Sequence, residues 1–96
     1  MSRATRPASA EVPAGQRLDV WLFRARLCKS RALAGRLVTA GHVRLNRRKV
    51  KRPAAWVRPE DVLTIVHHGR VRVLRVIALP ARRGPAREAA ASYEEL

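Results

Sequence analysis

The stretch SRALAGRLVTAGHVRLNRRKVKRP, from Ser30 to Pro53, decides the fold because it joins an apolar helix pattern to a basic strand pattern. Ser30 is a favoured helix N-cap, and Gly41 is a typical residue at a helix C-terminus. Between them, Leu33 and Leu37 fall on one helical face. The first half of the stretch therefore predicts a short helix with one buried face.

From Gly41 onward the apolar residues recur at every second position, which is typical of a strand with one buried side. Val43 and Leu45 point to that side. The other side carries polar and basic residues: His42, Arg44 and Asn46. NRRK then predicts a turn, and six basic residues stand between Arg44 and Arg52. The densest charge of the chain thus lies directly beside a core element.

A second helix pattern precedes this stretch in RLDVWLFRARL, residues 17–27. Its apolar residues have the i, i+3, i+4, i+7 spacing of one helical stripe: Leu18, Trp21, Leu22 and Ala25. Because only a few residues separate the two helices, we expect them to pack against each other. Trp21 is accordingly assigned to the core.

Two strand patterns follow, in VLTIV at 62–66 and VRVLRVIAL at 71–79. Both are rich in β-branched residues, and HHGR between them contains the glycine of a hairpin connection. Together with the strand after Gly41 they predict a small antiparallel sheet. The fold class is therefore α+β, with two short helices packed on that sheet.

Composition shifts divide the chain into three parts. Residues 1–15, rich in Pro, Ala and Ser, are predicted to be a disordered arm. Residues 16–79 are predicted to form one domain, with its core motif at 17–66. Residues 80–96 form a C-terminal extension that is predicted to be helical, with Pro85 near the first turn.

The charge of the chain is concentrated in one region. The 96 residues include 21 Lys and Arg against 7 Asp and Glu, a formal net charge of +14. Residues 17–52 alone carry twelve of the cations and one acid, Asp19, which is a net charge of +11. Such a region attracts polyanions, and the chain has no run of about 18 apolar residues that could span a bilayer. We therefore predict a nucleic-acid partner and no membrane partner. We also predict that the chain is cytoplasmic and monomeric.

The residue types do not favour catalysis. Asp19 is suited to the positive N-terminal end of its helix, and Cys28 is expected to be a small buried residue. His67 and His68 are adjacent, so on a strand they would face opposite sides, and neither has a metal ligand at suitable spacing. We predict that the chain is not an enzyme and has no cofactor or metal site.

Two other binding functions are compatible with parts of the pattern. Two short helices joined by a tight connection also occur in DNA-binding helix-turn-helix proteins. The acidic terminal residues YEEL could contact another protein, which would add to nucleic-acid binding rather than replace it. The strands that directly follow the helices make a helix-turn-helix protein the less favoured alternative.

The segments RLDVWL, SRALAGRLVTAGHVRLN and VKRPAAWVRPEDVLTI together resemble the small RNA-binding domain named after ribosomal protein S-four, also called the αL motif. The resemblance covers about residues 17–66. The tail RRGPAREAAASYEEL and the helix LDVWLFRAR are similar to the ribosome-associated heat-shock protein 15 family. This resemblance implies binding to ribosomal RNA on free large ribosomal subunits that still carry a nascent chain on tRNA. It also implies a role in returning those subunits to use, with peptidyl-tRNA as a possible further partner.

The resemblance assigns an RNA-binding surface on both helices and on the hairpin. Carried over by position, its members are Arg17, Arg24, Lys29, Ser30, Arg31, Arg36, His42, Arg44, Asn46 and Lys49. The basic run adds Arg47, Arg48 and Lys51. Arginine and lysine would bind phosphates, whereas Ser30 could contact RNA or only cap its helix.

The turn of the hairpin departs from the family pattern. The family commonly has Gly after the Asn of the first strand, but this chain has Arg47. A tight turn with positive φ would be strained there, so we expect a wider loop.

Overall fold

The computed structural model describes residues 14–96, so all but the last two residues of the arm predicted at 1–15 lie outside the described range. The helices of the described range are α1 (Leu18–Arg24), α2 (Arg31–Thr39) and α3 (Ala86–Ala89), the last continued by a 3-10 turn (Ala90–Ser92). The strands are β1 (Gln16–Arg17), β2 (Val43–Leu45), β3 (Arg48–Val50), β4 (Trp56–Val57), β5 (Val62–His67), β6 (Arg70–Val76) and β7 (Tyr93–Glu95). None of these helices is long and apolar enough to cross a membrane.

The two predicted helices begin where their sequences indicate. The Ser30 side chain accepts a hydrogen bond from the Leu33 N–H at 3.0 Å, which caps α2. Helix α1 has no side-chain cap, but its first turn contains Asp19, whose charge suits the helix N-terminus. The role of Ser30 as a cap is thus confirmed.

A five-stranded antiparallel sheet has the order β3-β2-β5-β6-β7, and β1 pairs with β4 in a separate two-stranded ladder. In the larger sheet Leu45 lies opposite Leu63, which in turn lies opposite Leu74. These three side chains therefore share the face of the sheet that packs on the helices.

The core lies between α1, α2 and this inner face of the sheet. Its largest side chain, Trp21, is fully buried, as are Leu18 and Leu22 from the same stripe. The Trp21 indole N–H donates to the Ala78 carbonyl at 3.0 Å, so its one polar group is satisfied. Burial of one such side chain contributes about 1.5–3 kcal/mol. The α+β fold predicted from the sequence is confirmed.

The C-terminal extension, predicted to be helical, has an α-helix of only four residues, α3, followed by the 3-10 turn and by a strand that the sequence did not predict. Strand β7 pairs with β6, and the Tyr93 ring lies edge-on to Trp21 with their centroids 6.3 Å apart. Arg72 and Glu95 form an ion pair at 2.6 Å across these two strands. The extension thus completes the sheet and closes one side of the core.

Candidate nucleic-acid interface

The β2–β3 hairpin carries three cations on one side. Arg44 and Lys49 are direct partners across the two strands, so their side chains project from the same face. Lys49 and Lys51 both pass beside the end of α2. The position of a Cβ at Gly41 would be 3.4 Å from Lys49 Cδ and 3.6 Å from Lys51 Cε. We call these three residues, Arg44, Lys49 and Lys51, the cationic face.

The hairpin turn differs from the wide loop that the sequence predicted. Leu45 pairs directly with Arg48, so the turn has only two residues, Asn46 and Arg47, with φ of 51° and 75°. Two successive positive φ values are typical of the tight turns that match the twist of a hairpin. The expectation of a wider loop is therefore wrong.

Hydrogen bonds to Asn46 explain why the tight turn forms without glycine. Its side-chain oxygen accepts from the Val62 N–H at 2.9 Å, and its amide donates to Asp61 Oδ1 at 3.0 Å. The Asn46 N–H donates to the Val62 carbonyl at 2.8 Å. Asparagine tolerates the left-handed conformation, and strand β5 fixes it there. Asn46, predicted to bind RNA, thus has its amide engaged within the protein.

Replacing Arg47 with Gly should stabilise the protein while weakening RNA binding. A residue other than Gly costs roughly 1–2 kcal/mol in the left-handed conformation. Gly avoids this strain, but the conformational entropy that it loses on folding costs about 0.5–1 kcal/mol. We expect the free energy of unfolding, measured by thermal melts, to rise by about 0.5–1 kcal/mol. The RNA affinity should fall a few-fold, because one cation is lost. Arg48→Gly is the matched control, because Arg48 lies in regular strand and its replacement should destabilise. Equal melting temperatures for the two variants would contradict the strain at Arg47.

A buried carboxylate gathers two more of the predicted cations. Asp19 has a side chain only 8% exposed, and it accepts two hydrogen bonds from Arg17, each at 3.0 Å. Arg31 lies 3.6 Å from the same carboxylate, and the Val20 N–H donates to it at 2.8 Å. We call Arg17, Asp19 and Arg31 the Asp19 cluster. It fixes two arginines from different elements side by side.

The environment of Asp19 sets its ionisation. Burial alone would raise its pKa, but the hydrogen bond and charge of Arg17, the Val20 N–H and the charge of Arg31 outweigh burial and hold the pKa below its ordinary value. The Asp19 cluster therefore stays ionised at neutral pH.

This lowered pKa predicts a specific acid sensitivity. A carboxyl with a lower pKa in the folded state contributes stability above the ordinary Asp value of about 3.9, and that contribution is lost as the pH falls through the folded value. At neutral pH we expect Asp19→Asn to be less stable than wild type by about 1–2 kcal/mol. Thermal melts across an acid series should show this difference shrinking below about pH 4, because protonation removes the charge from the wild type as well. A constant difference at all pH values would contradict the assignment.

The chain segment that follows β3 contacts the start of α1. Lys51 belongs to the cationic face, and two residues later the Pro53 carbonyl accepts a hydrogen bond from the Asp19 N–H at 3.0 Å. The backbone that follows the hairpin is therefore hydrogen-bonded to the start of α1.

Other predicted site residues lie in different settings. The Arg24 guanidinium donates to the Pro80 carbonyl at 3.0 Å and so lies against the C-terminal extension. Arg48 projects to the opposite side of its strand from Lys49. Arg36 is exposed on α2, and Lys29 and His42 are exposed next to the ends of that helix. The structure thus brings Arg17 and Arg31 together at Asp19, next to Ser30 in the chain, and separately places Arg44 beside Lys49 on the hairpin.

Carboxylates do not neutralise most of this surface. Apart from Arg17 and Arg31, none of the predicted cations lies within 4.0 Å of a carboxylate of residues 14–96. Sequence reasoning missed Arg83, whose guanidinium lies 4.8 Å from the centre of the Phe23 ring. Its segment, PARRGPAR, has a low-complexity composition that gives no signal of a fixed position. Exposed cations without anionic partners are suited to phosphates.

The hairpin, the two helices and their cations define a small RNA-binding domain. Residues 16–63 match the S4 domain family, and the chain belongs to that family. Heat shock protein 15 of Escherichia coli (strain K12) is 41% identical over 79 residues, which cover 82% of this chain. Those residues span 59% of the length of that relative. The small ribosomal subunit protein uS4 of Streptomyces coelicolor is 32% identical over 63 residues, covering 66% of this chain and 31% of that protein.

The comparison of structures agrees with the comparison of sequences. A structure of heat shock protein 15 from Vibrio cholerae superimposes with a TM-score of 0.81 at 29% identity, covering 86% of this chain and 83% of that one. That structure is described as trimeric. The resemblance to the heat-shock protein 15 family is therefore confirmed, and the chain is related both to that protein and to the small ribosomal subunit protein uS4. The monomeric state of this chain stays a prediction.

Proposed function

We propose that this chain binds ribosomal RNA on the large ribosomal subunit and acts in the recycling of stalled subunits that carry a nascent chain. The observation that carries the proposal is the cationic face, whose three exposed cations have no carboxylate of the described residues within 4.0 Å. The similarity to the small ribosomal subunit protein uS4, together with the resemblance to the ribosome-associated heat-shock protein 15 family, supports the ribosome as the partner. Peptidyl-tRNA on such a subunit is a further proposed contact. We also propose that the protein is located in the cytoplasm, because ribosomes are there.

The rigidity of the surface supports binding to folded RNA. The Asp61–Asn46 hydrogen bond fixes the hairpin turn, and the Ser30 cap fixes the start of α2. Cations that are already positioned lose little conformational entropy on binding. Such a surface contacts the phosphates of a folded RNA without first ordering a loose chain.

The environments of the reactive side chains support a non-catalytic role. The carboxylate of Asp19 is paired with two arginines, so it is a poor general base. Cys28 is buried, and burial raises the pKa of its thiol, which disfavours the nucleophilic thiolate. We propose that the chain acts by binding alone.

Cosedimentation with purified ribosomal particles tests the proposal. We expect more of the protein to pellet with separated large subunits than with small subunits or whole ribosomes. Large subunits that carry peptidyl-tRNA should pellet more of it than large subunits without peptidyl-tRNA. Duplex DNA added as a competitor should displace it poorly. Equal binding to all particles would overturn the assignment to the large subunit, and preferential capture by DNA would favour a DNA-binding role. Light scattering on the free protein tests the predicted monomer against a trimer.

A further inference from the structure

A cavity of about 500 Å³ opens beside the RNA-binding surface, between the α1–α2 connection, the β5–β6 turn and the C-terminal extension. Its size falls within the roughly 300–1,000 Å³ of sites that hold small molecules. Lys29, a member of the predicted RNA-binding set, lines it. The cavity therefore adjoins the predicted RNA-binding set at Lys29.

Three cations line this cavity, and backbone carbonyls fix two of them. Arg83 Nε donates to the Phe23 carbonyl at 3.0 Å, and its Nη2 lies 3.4 Å from the Cys28 carbonyl. Arg26 Nε donates to the Gly84 carbonyl at 2.5 Å. A guanidinium has five N–H donors, so each arginine keeps donors for a ligand. Carboxylates of the described chain form no ion pair with Arg26, Lys29 or Arg83. Positioned cations without a carboxylate partner are suited to a phosphate.

The rest of the wall is apolar and aromatic. Leu27 and Leu33 are partly buried against the core, and both line the cavity. The rings of His67 and His68 lie on its other side with their centroids 3.8 Å apart. Burial, together with the charges of His68 and His42, lowers the pKa of His67, which disfavours its charged form. Apolar side chains and aromatic rings are surfaces on which unpaired bases stack.

We infer that this cavity binds one unpaired nucleotide of the RNA, with its phosphate at Arg26, Lys29 and Arg83 and its base between Leu33 and the two histidines. The inference rests on the proposed RNA binding and adds a second contact to it. Bases inside a duplex are stacked and paired, so only a single-stranded end, a bulge or a loop can supply this nucleotide. The protein thereby distinguishes a junction between duplex and single strand from a continuous duplex.

Two RNAs that differ in one feature test this inference: a blunt hairpin, and the same hairpin with a short single-stranded 3′ extension. Fluorescence anisotropy at fixed salt should show about tenfold tighter binding of wild type to the extended RNA, from the stacking of one base and one added phosphate contact. Arg26→Gly and His68→Gly should each remove most of this preference. Both positions have positive φ, 63° and 53°, so Gly fits the backbone and the fold should persist. Arg87→Ala on α3 is the control for the loss of one charge, and it should keep the preference.

Each outcome of this experiment has a distinct meaning. Equal affinity of wild type for the two RNAs would overturn the nucleotide site and leave RNA binding intact. A preference that survives in both Arg26→Gly and His68→Gly would place the unpaired nucleotide elsewhere and overturn the site as well. Failure to bind either RNA would overturn the proposed function itself.

Discussion

Replacing Arg44 and Lys49 together with Gln should lower the affinity for structured ribosomal RNA by about 30-fold, taking about 1 kcal/mol for each lost phosphate contact. The two residues are partners across β2 and β3 on the cationic face. Both are exposed, and neither belongs to the core, so the melting temperature should stay close to that of wild type. Filter binding or anisotropy at one fixed salt concentration measures the effect.

A matched double variant separates position from net charge. Arg58 and Arg87 are exposed, neither forms an ion pair with a carboxylate of the described residues, and replacing both with Gln removes the same two charges. We expect this control to lose no more than a few-fold in affinity. If the two double variants lost affinity equally, general charge rather than the cationic face would govern binding.

The largest effect on stability is expected for Trp21→Ala. Trp21 is fully buried between α1 and the sheet, it donates to the Ala78 carbonyl, and it contacts Tyr93 of β7. Removing a buried Trp costs about 3–5 kcal/mol, which is most of the stability of a small domain. Circular dichroism in denaturant should show a variant that is largely unfolded or that melts far below wild type.

The second tryptophan supplies the control for this prediction. Trp56 is 46% exposed and lies against Gly15. Trp56→Ala should cost far less, because much of its surface is already in water. Similar losses of stability in the two variants would contradict the assignment of Trp21 to the centre of the core.

The sequence predicted the parts of the fold that depend on local chemistry. Ser30 predicted the start of α2, and the spacing of Leu33 and Leu37 predicted its buried face. The alternation of Val43 and Leu45 predicted strand β2. These signals lie within a few residues of each other, so one sequence is enough to identify them.

The parts that the sequence missed depend on distant partners. Strand β7 has little intrinsic strand signal, and it forms because β6 offers an edge whose arginines form ion pairs with it, Arg75 with Glu94 and Arg72 with Glu95. The tight turn at Arg47 depends on Asp61, fifteen residues from Asn46, which fixes the turn through hydrogen bonds. Neither contact can be identified from local spacing.

The candidate site divides in the same way. The basic run and the family resemblance predicted which residues carry the charge. They did not predict that Asp19 would join Arg17 to Arg31, or that Arg26 and Arg83 would be fixed by backbone carbonyls beside Lys29. Those arrangements depend on the packing of the C-terminal extension and of the loop after α1.

The salt dependence of wild-type binding to ribosomal RNA tests the central claim most directly, because that claim is that fixed cations contact phosphates. Each phosphate contact on duplex-like RNA should contribute about 0.9 to the slope of log affinity against log salt concentration. With four or more contacts we expect a fall of at least about 3.6 log units per tenfold rise in salt. An affinity that barely changes across this range would contradict the account.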